Sequence, residues 1–531
     1  MGISSQYDLI LQALLPAKQP TDILSIIVGH IGLYRYIKWR AGLTVSLSII
    51  LSGCAVLQES TQAPGVTVDS TCIRLFETVD RVVDMAGTRD GQATRIAGFP
   101  FLRINRFLAS FRDAVKDDRT FNFWVEQLQA LDMVARQYEI RNTPLDLFSS
   151  ADDEFHDSGQ LLVRMRECGA KLRVALINHQ QQAVHLFQRA VTPDEYSDIK
   201  RFFGIYPLSR WFVLRGIDEL HRSTQERFQQ PLRELPVTGR LVRYSPPETT
   251  ESGKDEDIGL ILRKASSNPL VIPLLPEAVQ KRLFEKYAPV WEIDVVNDND
   301  RLGTPYWEAG NRLAVNVSKP QVFRHLSYTR FDGELLIQLN YIIWFPARPR
   351  SGFFDLLGGH LDGITWRVTL DNEGHPILYD SMHNCGCYHL FFPTHHLIPR
   401  KLTDHHEKPV LLSMVSDISS GNTVIIRIAS ETHYLQRVSI NNAEAGDIRY
   451  QFASYDDLRS IALPNGEHRS MFRPDGLVAG TERMERWLLW PMGIPAPGSM
   501  RQWGHHATAF AGKRHFDDPD LVYRYFKRTG K

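Results

Sequence analysis

Ile364-Thr365-Trp366-Arg367-Val368-Thr369-Leu370, then Asp371-Asn372-Glu373-Gly374-His375, then Pro376-Ile377-Leu378-Tyr379-Asp380-Ser381-Met382-His383-Asn384-Cys385-Gly386-Cys387 follow one another in the second half of the chain. The outer runs are rich in β-branched, aromatic and aliphatic residues, and the middle one is Asp, Asn and Gly turn material. Two such runs around such a turn predict an antiparallel hairpin of 364–370 with 376–387. The same strand-like composition recurs at 291–295, 336–345, 423–428 and 434–440. Residues 258–479 therefore read as a mostly antiparallel β domain, led by short helical stretches at 258–264 and 276–287.

Toward the N terminus the period changes. Cys72, Leu75, Phe76, Val79, Val82 and Val83 recur at helical spacing, as do Leu161, Met165, Cys168, Leu172 and Leu176. Thr192-Pro193-Asp194-Glu195 has the form of a helix start: a capping Thr, a first-turn Pro and a Glu able to reach back. Residues 70–240 are expected to form a helical domain. Residues 241–257 then serve as a linker, since the stretch 245–257 lacks any large apolar side chain. Residues 480–531 read as a tail with helical pieces near 482–489 and 520–527. The fold class is α+β, an all-helical N-terminal domain followed by a β domain and a short helical tail.

The 531 residues are 43% hydrophobic, enough apolar material for packed cores and too much for a disordered chain. Lys+Arg and Asp+Glu both number 61, so no global field gathers nucleic acid, and none is expected as a partner. Near the front, Arg35, Lys38 and Arg40 precede an apolar run at 41–51 and then Ser52-Gly53-Cys54. A basic segment, an apolar segment and small residues describe a secretory signal. Leu51-Ser52-Gly53-Cys54 resembles the lipobox of bacterial lipoproteins. That resemblance implies acylation of Cys54, cleavage just before it and a tether over 54–69. Signals usually span about 15–30 residues, so a leader of 1–53 suggests a true start downstream, near Val28 or Leu33. The alternative is an uncleaved anchor over about 41–57, short of the ~20 apolar residues a spanning helix needs. Ala55 after the lipidated Cys implies, within that family, the outer membrane. The expected partners are the membrane, through the lipid, and an envelope protein or cell-wall component.

Eight of the 19 histidines fall between His360 and His406, with Cys385 and Cys387 among them. On a strand running 377–391, His383, Cys385, Cys387 and His389 share one face, and Asp380 lies on the other. Thiolate and imidazole donors suit zinc or copper. At ~3.3 Å per residue the outer two lie about 20 Å apart, so one ion takes an adjacent pair plus partners such as His360. Gly386 relaxes that limit if it kinks the strand. A thiol nucleophile with His383 or His389 as base and Asp380 as orienter is a catalytic version of the same cluster. A Cys385–Cys387 disulfide, or two buried small hydrophobes, is a structural one. Without Cys54 the four remaining cysteines allow three pairings, and Cys72 with Cys168 fits two apolar helix faces of one domain.

Gly358-Gly359-His360-Leu361-Asp362-Gly363 precedes a strand rather than a helix, so it reads as a tight β connection and not a phosphate cradle. The segments 95–103, 379–389 and 501–510 resemble those of uncharacterised proteobacterial envelope proteins, which implies compartment and no mechanism. The sequence contains neither Gly-x-Ser-x-Gly nor a metalloprotease spacing. Two functions are therefore expected: a binding or assembly role in the envelope with a transition-metal site, or metal- or thiol-dependent hydrolysis of an envelope component.

Overall fold

The computed structural model describes residues 70–149, 157–248, 257–352, 355–402, 407–412, 422–442 and 446–530. The leader, Cys54 and the tether lie outside the described residues, as do 249–256 of the expected linker and His405 and His406. Helices fill most of the first half and antiparallel strands the second, with a short helix near the C terminus, so the fold is α+β.

The helical half contains α1 (Ser70–Ala86), a hairpin of β1 (Thr94–Ile96) and β2 (Phe99–Ile104), α2 (Asp118–Asn142), α3 (Ser158–Ile177) and α4 (Gln180–Arg189). The six apolar positions of α1 predicted to face inward are the six it buries. Cys72 on α1 and Cys168 on α3 are joined in a disulfide. The inward face of α2 is partly ionic. Arg103 from β2 meets Asp132 at 3.0 Å and Glu139 at 2.7 Å, all fully buried. Burial alone would raise the Glu139 pKa, but the guanidinium groups of Arg103, Arg136 and Arg95 hold it at about 2.

Thr192–Glu195 does not begin a helix. The next one, α5 (Asp198–Phe203), is capped by Ser197, and α6 (Tyr206–Gln229) follows. The carboxylates expected to start a helix reach across the fold instead: Glu195 meets His505 at 2.9 Å, and Asp194 meets Lys513 at 2.5 Å.

The β half begins earlier than expected. β3 (Arg240–Ser245) falls at the expected linker but pairs along its length with β4 (Val290–Val295). Between them lie α7 (Ile258–Ala265) and α8 (Glu277–Lys286). Then come β5 (Gln321–Phe331), β6 (Glu334–Arg348), β7 (Gly359–Leu370), β8 (Pro376–His383), β9 (Leu390–Pro393) and β10 (Val410–Leu411). After them the two large sheets take β11 (Asn422–Ile428), β12 (Leu435–Asn442), β13 (Ile448–Arg449) and β14 (Gln451–Ser454). One sheet has the order β10-β9-β8-β7-β6-β5-β14, antiparallel except at its two edges; the other is β12-β11-β4-β3-β13.

The sheets share a core of Trp291, Ile293, Ile426 and Ile428 against Leu339, Ile343, Ile364 and Trp366. The predicted hairpin is β7–β8. Asp371 Oδ1 accepts from the amides of Glu373 and His375, and Gly374 takes the positive φ of 86° that the turn requires.

Residues 480–531 are not a surface tail. Met500, Trp503 and Phe516 join the core on the other face of the larger sheet, beside Trp344 and Met382. Covered on both faces, β8 buries every one of its eight residues. Among the described residues no helix is long and apolar enough to cross a membrane.

Candidate functional site

The expected strand of 377–391 ends at His383. The chain then reverses through Asn384, Cys385 and Gly386 and returns as β9, antiparallel to β8. The His383 carbonyl accepts from the Gly386 amide at 2.7 Å, and the His383 amide donates to the Cys387 carbonyl at 2.9 Å. Gly386 sits at φ 95°, with its Cα so close to the chain that a Cβ would come within 2.5 Å of the Ala507 carbonyl oxygen. Asn384 secures the turn by donating to the Ile343 carbonyl and accepting from Thr365.

This reversal separates the two histidines by function. His389 Nε2 lies 2.8 Å from Asp380, whose carboxylate is also held by Arg367 Nε at 2.9 Å. Burial drives the His389 pKa down to about 4, further than Asp380 can lift it. Asp380, though fully buried, stays below the usual carboxylate range because Arg367 and His389 oppose the desolvation. His383 Nδ1 instead faces Asp362 at 3.5 Å, and its Nε2 is buried with no partner among the described residues. Asp362 also takes His433 Nδ1 at 2.8 Å, and His433 Nε2 lies 3.6 Å from Asp300. Burial works to raise Asp362, yet the two imidazoles hold it well below its ordinary value. His433 is lifted above its usual pKa by Asp300 and Asp362 against the same desolvation.

Two cavities meet at the turn, and Cys385, Cys387, Tyr388 and Gly498 line both. The first, about 40 Å³, adds His221, His389, Glu407 and Arg501 with apolar side chains of α6 and the 494–510 segment, and has room for roughly two or three water molecules. The second, about 30 Å³, adds Asp362, His383, Arg348, Arg483, Tyr434 and Glu485. The thiols are free. The Cys387 thiol donates to the Cys385 sulfur. That hydrogen bond, with burial and the neighbouring sulfur, holds Cys387 protonated well above the ordinary thiol range. The buried guanidinium of Arg483 lies close enough to Cys385 for the two to interact. Glu485 is buried with Oε2 unpartnered; desolvation lifts it to about 7 despite Arg348, Arg483 and Arg501 nearby.

The structure does not bring the five expected metal donors together. His383 and His389 each engage a different carboxylate, and His360 Nε2 is bonded to the Leu313 carbonyl at 2.7 Å. Among the described residues no group of three or more His, Cys, Asp or Glu side chains is arranged to hold a metal ion. Asp380 is saturated by Arg367 and His389, so the carboxylate beside the thiols is Asp362. Sequence reading missed Asp362, Arg483 and Glu485 as site residues. Asp362 stood inside the glycine-rich run, but nothing local marks a carboxylate whose partners are 21 and 71 positions away. Comparison of the chain with protein-family models, with curated proteins and with solved structures finds no match.

Proposed function

We propose that the chain is a lipid-anchored, periplasm-facing envelope protein whose folded part performs thiol-dependent acyl chemistry on an envelope component, a peptide or peptidoglycan amide or ester. One observation carries the enzymatic part: two free thiols and an imidazole oriented by a buried carboxylate line one cavity, with the outer imidazole nitrogen unpartnered. The lipobox-like Leu51–Cys54 and the Cys72–Cys168 disulfide support an oxidising compartment.

In this reading the Cys385 thiolate attacks the carbonyl carbon and the Cys387 S–H stabilises that thiolate beforehand. His383 takes the Cys385 proton and returns it to the departing amine or alcohol. Water, deprotonated by the same imidazole, then cleaves the thioester. Asp362 holds the ring. Intact-mass spectrometry of protein mixed with activated acyl esters tests it. A single acyl adduct on Cys385 is expected, its formation slowed about 10²-fold or more in His383→Asn, the usual worth of a positioned base. No adduct at Cys385, or equal rates in His383→Asn, overturns the reading.

The contact between the sulfurs favours a second reading, dithiol–disulfide exchange with an envelope protein. Cys387→Ser separates the two. It retains acylation under the first reading and abolishes all turnover under the second.

A further inference from the structure

The surface where α5 turns into α6 is more apolar than folding explains. Phe202 is 79% exposed, Phe203 71%, Ile205 63% and Leu208 59%, and Trp211 is more than half exposed. Residues 486–493 lie against this turn. Ser197 donates to the Gly493 carbonyl, Arg201 Nε donates to the Met492 carbonyl at 2.8 Å, and Gly204 abuts Pro491. That segment contributes Trp487, 68% exposed, with Leu488 and Trp490. Val213, Ile217, Leu489 and Met492 supply the buried side of the same contact, so the outward residues are not needed for it. Ile205 adopts a left-handed φ of 48°, a conformation a β-branched residue rarely accepts, and in it the side chain faces solvent.

The charge around the patch is mainly basic, with Asp198 at the start of α5 facing Lys513 and Asp218 and Glu219 at the far border. From Ile199 to Ile217 the chain carries Lys200, Arg201, Arg210 and Arg215 and no acidic residue, and Arg486 to Ser499 adds only Arg486. Arg215 lies 5.3 Å from the Trp211 ring and Arg486 4.9 Å from Trp487. Aromatic and aliphatic side chains projecting from a cationic rim match the boundary of an anionic bilayer, where rings sit among headgroups and guanidinium groups meet phosphates. A soluble partner would require acidic complementarity around an equally large apolar face. We infer that this α5–α6 knuckle, with 486–490, is a membrane-docking face that seats the folded part on an anionic lipid surface. It is distinct from the acyl group proposed at Cys54. The middle of α6 lines the first cavity through Ile217, Leu220, His221 and Thr224, so docking places the thiol site beside the bilayer.

Full-length protein in phosphatidylethanolamine–phosphatidylglycerol vesicles with brominated acyl chains tests this, because bromine quenches only tryptophans at the lipid. Emission of the wild type is expected to fall. Most of that fall should vanish in W211F/W487F/W490F, which removes the reporters, and in F202S/F203S/L208S, which removes the insertion. Replacing phosphatidylglycerol by phosphatidylcholine should reduce quenching to less than half. The substituted side chains are exposed, so unchanged circular dichroism and thermal midpoint are expected to accompany the loss. Quenching that is absent, or equal in wild type and both variants, overturns the inference. So does dimerisation lost in F202S/F203S/L208S without quenching, which would assign the face to a second copy. Cys54→Ala reads the anchor separately: if vesicle binding then depends on Phe202 and Phe203, the knuckle acts without the lipid.

Discussion

The molecule holds two pairs of cysteines in opposite circumstances. Cys72 and Cys168 are 96 positions apart, buried between α1 and α3, and bonded. Cys385 and Cys387 are two positions apart, at a turn between two cavities, and free. The gain from a cross-link grows with the loop it closes in the unfolded chain. A bond across 96 positions restrains a great deal of unfolded chain, and one across a single residue restrains almost none. The second pair therefore gives the fold little as a bridge, and its position is better explained by what the sulfurs can reach. The histidines beside it differ in what holds them. His389 shares its carboxylate with an arginine and His383 shares its own with a second histidine, while each keeps one ring nitrogen without a partner among the described residues.

The largest effect expected from this contrast is on stability. Cys72→Ser/Cys168→Ser should lower the unfolding free energy by about 4–5 kcal/mol, the chain-entropy value for a loop of this size. Cys385→Ser/Cys387→Ser should change it by less than about 1 kcal/mol. Denaturant titration of both double variants checks the pair, and equal losses would erase the distinction.

Next comes pH. His389 is held neutral down to about 4, so below its unfolded value near 6.5 the unfolded chain binds a proton that the folded chain refuses. Its contribution to stability is therefore full above pH 6.5 and declines as pH falls toward 4, by roughly 3 kcal/mol. His433, lifted between Asp300 and Asp362, has the reverse sign: its contribution is full below its unfolded pKa and is lost as pH rises through the folded one. Stability against pH for His389→Asn and His433→Asn should thus differ from wild type with opposite slopes. Slopes of the same sign would show that the two carboxylates act alike.

The parts legible in the sequence were those governed by short-range periodicity. The α1 face, the β7–β8 hairpin and the helix faces carrying Cys72 and Cys168 each follow from spacing of 3.6 or 2, or from a turn. The reversal after His383 was harder, because one glycine decides it. Gly386 marks in the sequence a place where a strand can kink, and it turns the chain fully around. Arg483, Arg501 and Arg514 could not be placed inside by any pattern. Each guanidinium has at least one acceptor far away in sequence: the Cys385 carbonyl for Arg501, the His360 carbonyl for Arg483 and the Glu407 carboxylate for Arg514. Charged residues at the end of a chain read as solvated until those acceptors are seen. The same blindness hid Asp362, and with it the difference between the two histidines.

The smallest expected effect tests how the two thiols divide their roles. Cys387 is held protonated by its hydrogen bond with Cys385 and by burial, so Cys387→Ala strips that contact from the Cys385 sulfur. One such bond is worth about 1 kcal/mol net, so Cys387→Ala should slow iodoacetamide alkylation of Cys385 about fivefold at pH 7. Cys385→Ala should leave Cys387 almost unreactive at that pH, since burial continues to hold its thiol up. Rates followed by peptide mass spectrometry, with pH varied from 6 to 9, decide between donor and acceptor. If instead Cys387 alkylates faster in Cys385→Ala than Cys385 does in Cys387→Ala, the roles are exchanged and Cys387 is the sulfur that attacks.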